Sequence, residues 1–193
     1  MRNIHYFSGR MGNEMFRYAY LYAQMRDGII PDIYVQDLKY FEKYANEIKQ
    51  LFGEGISYLN RVGVHIRRAA NPTNPDEPKY SENPFYRDLT STDYYERAMA
   101  IFPEEKFLVF SDDTEWCREK FKDNPRVQVM DKGDEVNDFN LLASCKSLII
   151  ANSSWSWWAA YLCPNDGKQV IAPLKWFADG IQRVGIPETW IKI

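Results

Sequence analysis

Residues 147–162 read SLIIANSSWSWWAAYL. The segment SLIIA is apolar, long enough for a buried strand and too short for a helix of ordinary length. Asn152, Ser153 and Ser154 interrupt it with small polar side chains of the kind that open helices. The run WSWWAAYL then continues without Gly or Pro, which predicts a helix over 154–162. A strand that passes through a short polar turn into a helix is the first half of a βαβ unit, and its apolar character on both faces belongs to a parallel sheet.

The same order recurs on either side. Residues 106–111 (KFLVFS) form a strand followed by Asp112, Asp113 and a helix over 114–121. Residues 62–67 form a strand, followed by a Pro-, Asn- and Asp-rich loop over 69–89 and a helix over 92–102. A strand at 127–130, a helix over 134–145 with acidic residues in its first turn, and a strand at 169–172 complete the series. Strands roughly twenty residues apart with helices between them predict right-handed crossovers and a doubly wound parallel α/β sheet. Residues 61–193 are therefore expected to be a Rossmann-like lobe. Residues 1–60 offer a strand at 4–7, a helix over 11–26, a strand at 32–35 and a helix over 38–52. That is expected to be a reduced half-lobe packed on the first.

Composition narrows the function. Aromatic residues make up 16% of the chain, as in some nucleic-acid binders, but 24 basic against 27 acidic residues leave a net charge of −3. Nucleic acid is therefore not an expected partner. The 3 cysteines and 2 histidines show no metal-ligand spacing, so no metal site is expected. The opening MRNIHYFSGR has no apolar stretch of signal-peptide length. No run approaches the ~18 apolar residues of a membrane span. These features set the expectation of a cytoplasmic protein without a transmembrane segment, with peripheral membrane association left open.

Ligands of open parallel sheets bind at the carboxyl ends of the strands, and three of those ends are polar here. After residues 62–66 stand Arg67 and Arg68; along this strand His65 and Arg67 share the face opposite Val62, Val64 and Ile66. An arginine fork suits a diphosphate bidentately, and it equally suits a structural ion pair with a carboxylate such as Asp112. Asp112 and Asp113 could pair with the arginines, accept from a ribose or base, or cap the next helix, the capping role fitting Asp113 best. Asn152, Ser153 and Ser154 open a helix whose first N–H groups suit a phosphate, or they simply cap it. Trp155, Trp157 and Trp158 are expected mostly in the core, with the alternative that one ring at the cleft rim stacks on a sugar or base. Residues 9–13 (GRMGN) make a glycine-punctuated turn into a helix that approaches the cleft from the N-terminal side.

These residues also carry a resemblance. SGRMGNEMFRYAY, GVHIRRAAN, FLVFSDDTEWC, DFNLLASCKSLIIANSSWSWWAAYL and VIAPLKWF resemble, in order, the blocks of the alpha-1,2-fucosyltransferases of glycosyltransferase family 11. The resemblance implies a GT-B-like fold and an inverting, metal-independent transfer of L-fucose from GDP-fucose to the 2-hydroxyl of a galactose-containing glycan, with no cofactor beyond the donor substrate. It implies a diphosphate clamp of Arg67 and Arg68, with His65, Asp112, Asn152, Ser153 and Ser154 on the donor side. Gly12 and Asn13 would face the cleft from the first lobe. Glu14 and Asp112 are the candidates for a catalytic base. The chain departs from the family pattern at Ala69 and Ala70, where Gly-Asp is expected, at Glu14, where Gln is expected, and in its short first lobe. The departures motivate an alternative, a catalytically impaired GDP-fucose- or glycan-binding protein.

Overall fold

The computed structural model describes residues 11–27, 36–53, 55–69 and 78–193. The expected strands at 4–7 and 32–35 lie outside the described residues. Six strands form one sheet: β1 (Leu59–Ile66), β2 (Phe107–Ser111), β3 (Val127–Val129), β4 (Cys145–Ile149), β5 (Val170–Ala172) and β6 (Ile191–Lys192). Their order is β3-β2-β1-β4-β5-β6, and every neighbouring pair is parallel. The α/β, doubly wound parallel sheet agrees with the GT-B-like class. The order reverses between β1 and β4, and there the crossovers leave to opposite faces, which is where ligands of such sheets bind.

Six α-helices are described: α1 (Met11–Asp27), α2 (Ala45–Phe52), α3 (Tyr94–Ala100), α4 (Thr114–Phe121), α5 (Glu135–Ala143) and α6 (Ser154–Leu162). Side-chain alternation along the strands divides the core in two. Val62, Val64, Ile66, Phe107 and Val109 pack with α3 and α4. Leu108, Phe110, Leu148 and Ile150 pack with α1, α2, α5 and α6. Gly63 belongs to the second face because α5 runs against it. A Cβ there would lie 2.6 Å from Leu142 Cδ1 and 3.0 Å from Cys145 Sγ.

The Trp-rich helix α6 is the centre of the larger core, as expected for most of its rings. Trp157 and Trp158 are fully buried. Phe16 of α1 packs on both, at 4.6 and 4.9 Å between centroids, and Phe41 stacks on Trp158 at 5.4 Å. Phe41 also explains one departure from expectation. The helix foreseen over 38–52 is two 3-10 turns followed by α2. Phe41 lies at φ −140°, outside helical geometry, which drops its ring into the aromatic cluster. Burying a large ring outweighs one more turn of helix. Elsewhere the differences are shifts of two or three residues at element ends, and β6, with only two residues, was not foreseen.

Candidate active site

The carboxyl ends of β1, β2 and β4 bring the predicted polar residues to one edge of the sheet. His65, still on β1, is buried with its ring 4.8 Å from that of Trp155. The register Ile66↔Ser111 continues past the strands and sets the two arginines opposite the two aspartates. Arg67 forms an ion pair with Asp112, their side chains 9% and 16% exposed. Asp112 Oδ1 also accepts from the backbone N–H groups of Arg68 (2.8 Å) and Ala69 (3.0 Å). Asp112 thus spends both oxygens inside the chain, clamping the turn that carries the arginines.

Arg68 donates from Nε to Asp113 Oδ2 at 3.2 Å and from Nη1 to Thr90 Oγ1 at 2.5 Å. Its guanidinium lies over the Trp116 ring, 4.2 Å from the centroid. Asp113 caps α4 by accepting from Trp116 N, the role its position suggested. Both arginines are therefore ion-paired within the chain, and the structural pairing left open by the sequence is realised. Arg68 still carries two Nη2 donors without a described partner, because a guanidinium offers five N–H groups.

At the end of β4 the polar residues divide their work. Asn152 is buried, and its Nδ2 donates to the carbonyls of Arg87 and Trp176, both at 2.8 Å. Both amide hydrogens are spent on holding two loops, so this side chain staples the site and offers no N–H to a donor. Ser153 is the N-cap residue of α6 but makes no capping hydrogen bond. The first turn of α6 therefore keeps N–H groups with no intrahelical acceptor. Ser154 Oγ donates to Asn13 Oδ1 at 2.6 Å, and the same oxygen accepts from Gln36 Nε2 at 2.8 Å.

That contact joins the starts of α1 and α6. It depends on Gly12, where a Cβ would fall 2.5 Å from Ser154 C and from Trp155 N. The start of α6 meets α1 here, with the partial positive charge of the first-turn N–H groups of α6. Gly12 and Asn13 thus reach the β4 end. Glu14 does not: it is exposed, two residues and about 200° around the helix from Gly12. No described contact ties it to the arginines.

Sequence reasoning passed over Tyr80. The residue stands in the polar 69–89 loop, on a 3-10 turn (Tyr80–Glu82). The Arg67 guanidinium lies over its ring, 5.1 Å from the centroid, and its hydroxyl donates to the Asn152 carbonyl. Tyr86 stacks beneath it at 4.4 Å, and Tyr86 bridges Phe177 as an antiparallel pair. Three aromatics inside an otherwise polar loop, in YSENPFY, were the available signal. Thr90 was missed as well, and nothing local marks it.

Cys117 lies behind this edge, fully buried. Burial pushes its thiol up to about 11, so at neutral pH it is a neutral packing group and no nucleophile. Among the described residues, no group of three or more His, Cys, Asp and Glu could hold a metal ion. None of the described helices is long and apolar enough to cross a membrane.

A parallel sheet of this order, with arginines and an uncapped helix start at its switch point, defines an α/β protein whose polar residues gather at the carboxyl ends of the strands, where ligands of such sheets bind. Over residues 9–183 the chain matches the model for glycosyl transferase family 11, and it belongs to that family. It is 31% identical over 186 residues to the O-antigen biosynthesis glycosyltransferase WbnK of Escherichia coli, an alignment covering 92% of this chain and 59% of that protein. It is 30% identical over 184 residues to an alpha-1,2-colitosyltransferase of Escherichia coli, covering 82% of this chain and 60% of the relative. Similarity extends to the galactoside 2-alpha-L-fucosyltransferase SEC1 of Bos taurus, 28% over 129 residues, covering 63% of this chain and 33% of that one. The chain thus spans about three fifths or less of the length of these relatives.

Proposed function

We propose that the chain carries the donor site of an inverting sugar transferase that moves L-fucose from GDP-fucose to the 2-hydroxyl of a galactose-containing glycan. The observation that carries this reading is the bridge Arg67–Tyr80–Asn152, which holds the β1 arginine beside the uncapped start of α6. In this reading residues 61–193 hold the nucleotide sugar, residues 1–60 contribute the acceptor side, and the protein works in the cytoplasm.

The chemistry follows from the groups present. As the bond from fucose C1 to the β-phosphate oxygen breaks, negative charge grows on the departing GDP. The Nη2 donors of Arg68 and the first-turn N–H groups of α6 meet it, and preorganised donors of this kind usually supply the largest catalytic term. Arg67 reaches the diphosphate by exchanging Asp112 for phosphate. The acceptor hydroxyl attacks C1 from the opposite face and loses its proton to a base. Asp112, with both oxygens engaged, and Glu14, across the helix from the α6 contact, are both poorly placed for that role. The reading therefore names no base.

A second reading, binding of the nucleotide sugar without transfer, is favoured by one observation. The N–H of Ala69, where the family pattern has Gly, is pinned on Asp112, and the family's following Asp is replaced by Ala70. Calorimetry with GDP, combined with GDP release from GDP-fucose in the presence and absence of lactose, separates the two. The transferase reading expects GDP binding, lactose-dependent release, and a loss of roughly 10²–10³-fold in rate for Arg68→Ala. Binding without release supports the second reading, and no binding of GDP refutes both.

A further inference from the structure

The aromatic pile beside Arg67 has a geometry that simple space-filling does not require. The guanidinium lies over Tyr80 at 5.1 Å. Tyr80 stacks on Tyr86 at 4.4 Å with 19° between the planes, and Tyr86 stacks on Phe177 at 5.9 Å with 27°. The far end is held by main chain: Tyr86 and Phe177 form a β-bridge, Ala178 N donates to the Phe85 carbonyl at 3.1 Å, and Arg87 N donates to the Trp176 carbonyl at 3.4 Å. The near end is held by the Tyr80 hydroxyl on the Asn152 carbonyl, one residue before the N-cap of α6. The ring is thus fixed by an in-plane anchor at its tip and by a stacked neighbour on one face. Its other face is presented to a planar cation.

We propose that Tyr80 is a positioning residue for Arg67, setting the plane of its guanidinium relative to the start of α6, so that both present donors to the diphosphate of a nucleotide. This inference rests on the donor-site reading above. A guanidinium is planar and its donors lie in that plane, so a ring packed over it restricts the directions in which those donors can turn. Before a ligand arrives the pair Arg67–Asp112 fixes where the guanidinium sits; Tyr80 keeps it turned towards the start of α6 as phosphate takes the place of Asp112. The hydroxyl matters because it makes β1's arginine and α6's first turn move as one unit.

The experiment uses the full chain with GDP as titrant. Tyr80→Leu removes the ring and the anchor, and is expected to weaken GDP binding about tenfold, the size of a partly desolvated cation–π contact. Tyr80→Phe keeps the ring and is expected to lose about threefold, the modest net value of one hydrogen bond. The deciding arm repeats Tyr80→Leu in an Arg67→Lys background, where charge is kept but no plane remains to be oriented. There the additional loss is expected to fall below about twofold. A loss of equal size in both backgrounds means the tyrosine acts elsewhere and overturns the proposal. So does unchanged GDP affinity for Tyr80→Leu when Arg67→Ala abolishes binding, a result that leaves the donor-site reading standing. GDP affinity unchanged by Arg67→Ala overturns the donor-site role of Arg67, and the proposal with it. Circular dichroism on each variant separates loss of fold from loss of orientation.

Discussion

Replacing Asp112 by Asn tests the electrostatics of the site most directly. The carboxylate does two things: Oδ1 accepts two backbone N–H groups, and the charge neutralises Arg67. An amide oxygen can keep the first function, so the turn stays closed. The second is lost, and a guanidinium whose side chain is only 9% exposed is left without its counter-charge. Breaking a buried pair from one side costs about 3–5 kcal/mol. The residual exposure of Asp112, 16%, places this pair at the lower end, about 3 kcal/mol. For a domain of this size each kcal/mol is worth roughly 2–4 °C, so the midpoint of thermal unfolding should fall by roughly 6–12 °C. Adding Arg67→Met to Asp112→Asn removes the stranded charge, and the double variant should recover most of the loss. On the donor-site reading proposed above, GDP should raise the midpoint of Asp112→Asn more than that of the wild type, because the diphosphate then supplies the missing negative charge. Calorimetric scans of the three proteins at pH 7, with and without GDP, give every quantity. A single variant that melts within about 1 °C of the wild type would show that the pair carries no such burden, and the reasoning fails.

Gly12→Ala should destabilise the contact between α1 and α6. A methyl placed 2.5 Å from backbone atoms forces the helices about an ångström apart, at about 1–3 kcal/mol, while the gain in helix propensity is at most about 1 kcal/mol. A fall of a few degrees in the unfolding midpoint, measured by circular dichroism, is expected; a rise refutes the close approach. Alkaline pH should destabilise the protein through its buried thiols. Burial pushes Cys117 up to about 11 and Cys145 up to about 12, from 9.0. A raised folded pKa gives stability that is fully present below the unfolded value and is lost as pH rises through the folded one. Chemical denaturation should therefore show a plateau up to about pH 9 and a decline from there towards pH 12. Thiol titration at pH 8 should find all three cysteines unreactive until denaturant is added, and prompt reaction of the native protein would contradict their burial.

How much of this was legible in the sequence depended on the range of the forces involved. The sheet was readable because a strand buried on both faces must be apolar throughout, as LIIA and FLVF are, and because the polar residues after each strand mark the edge where ligands bind. Residues 38–44 were misread because helical periodicity ignores how much a single ring gains from the core, and Phe41 leaves the helix to reach it. Tyr80 was passed over because a loop dense in Pro, Asn and Asp looks solvated; its aromatics acquire meaning only when the loop folds back over β1 and β4. Asn152 looked like a ligand group because its partners, the carbonyls of Arg87 and Trp176, are backbone atoms of distant loops.

The ion pairs are the instructive intermediate case. Each charge was visible, and so was the choice between a ligand and a partner. What decides it is the register: once Ile66 sits opposite Ser111 in parallel strands, Arg67 must face Asp112 and Arg68 must face Asp113. Two positive and two negative charges then cancel among these four side chains. On the donor-site reading proposed above, attraction for a diphosphate comes from directed donors, namely the open Nη2 edge of Arg68 and the first turn of α6, and from whatever the ligand recovers by displacing Asp112. Such a site discriminates by geometry more than by net charge. It should therefore tolerate added salt better than a bare pair of arginines would, since screening weakens long-range attraction more than short, partly buried hydrogen bonds. The aspartates, which look like competitors for the arginines, are on this argument what allows two adjacent guanidinium groups to be held in place before any ligand arrives.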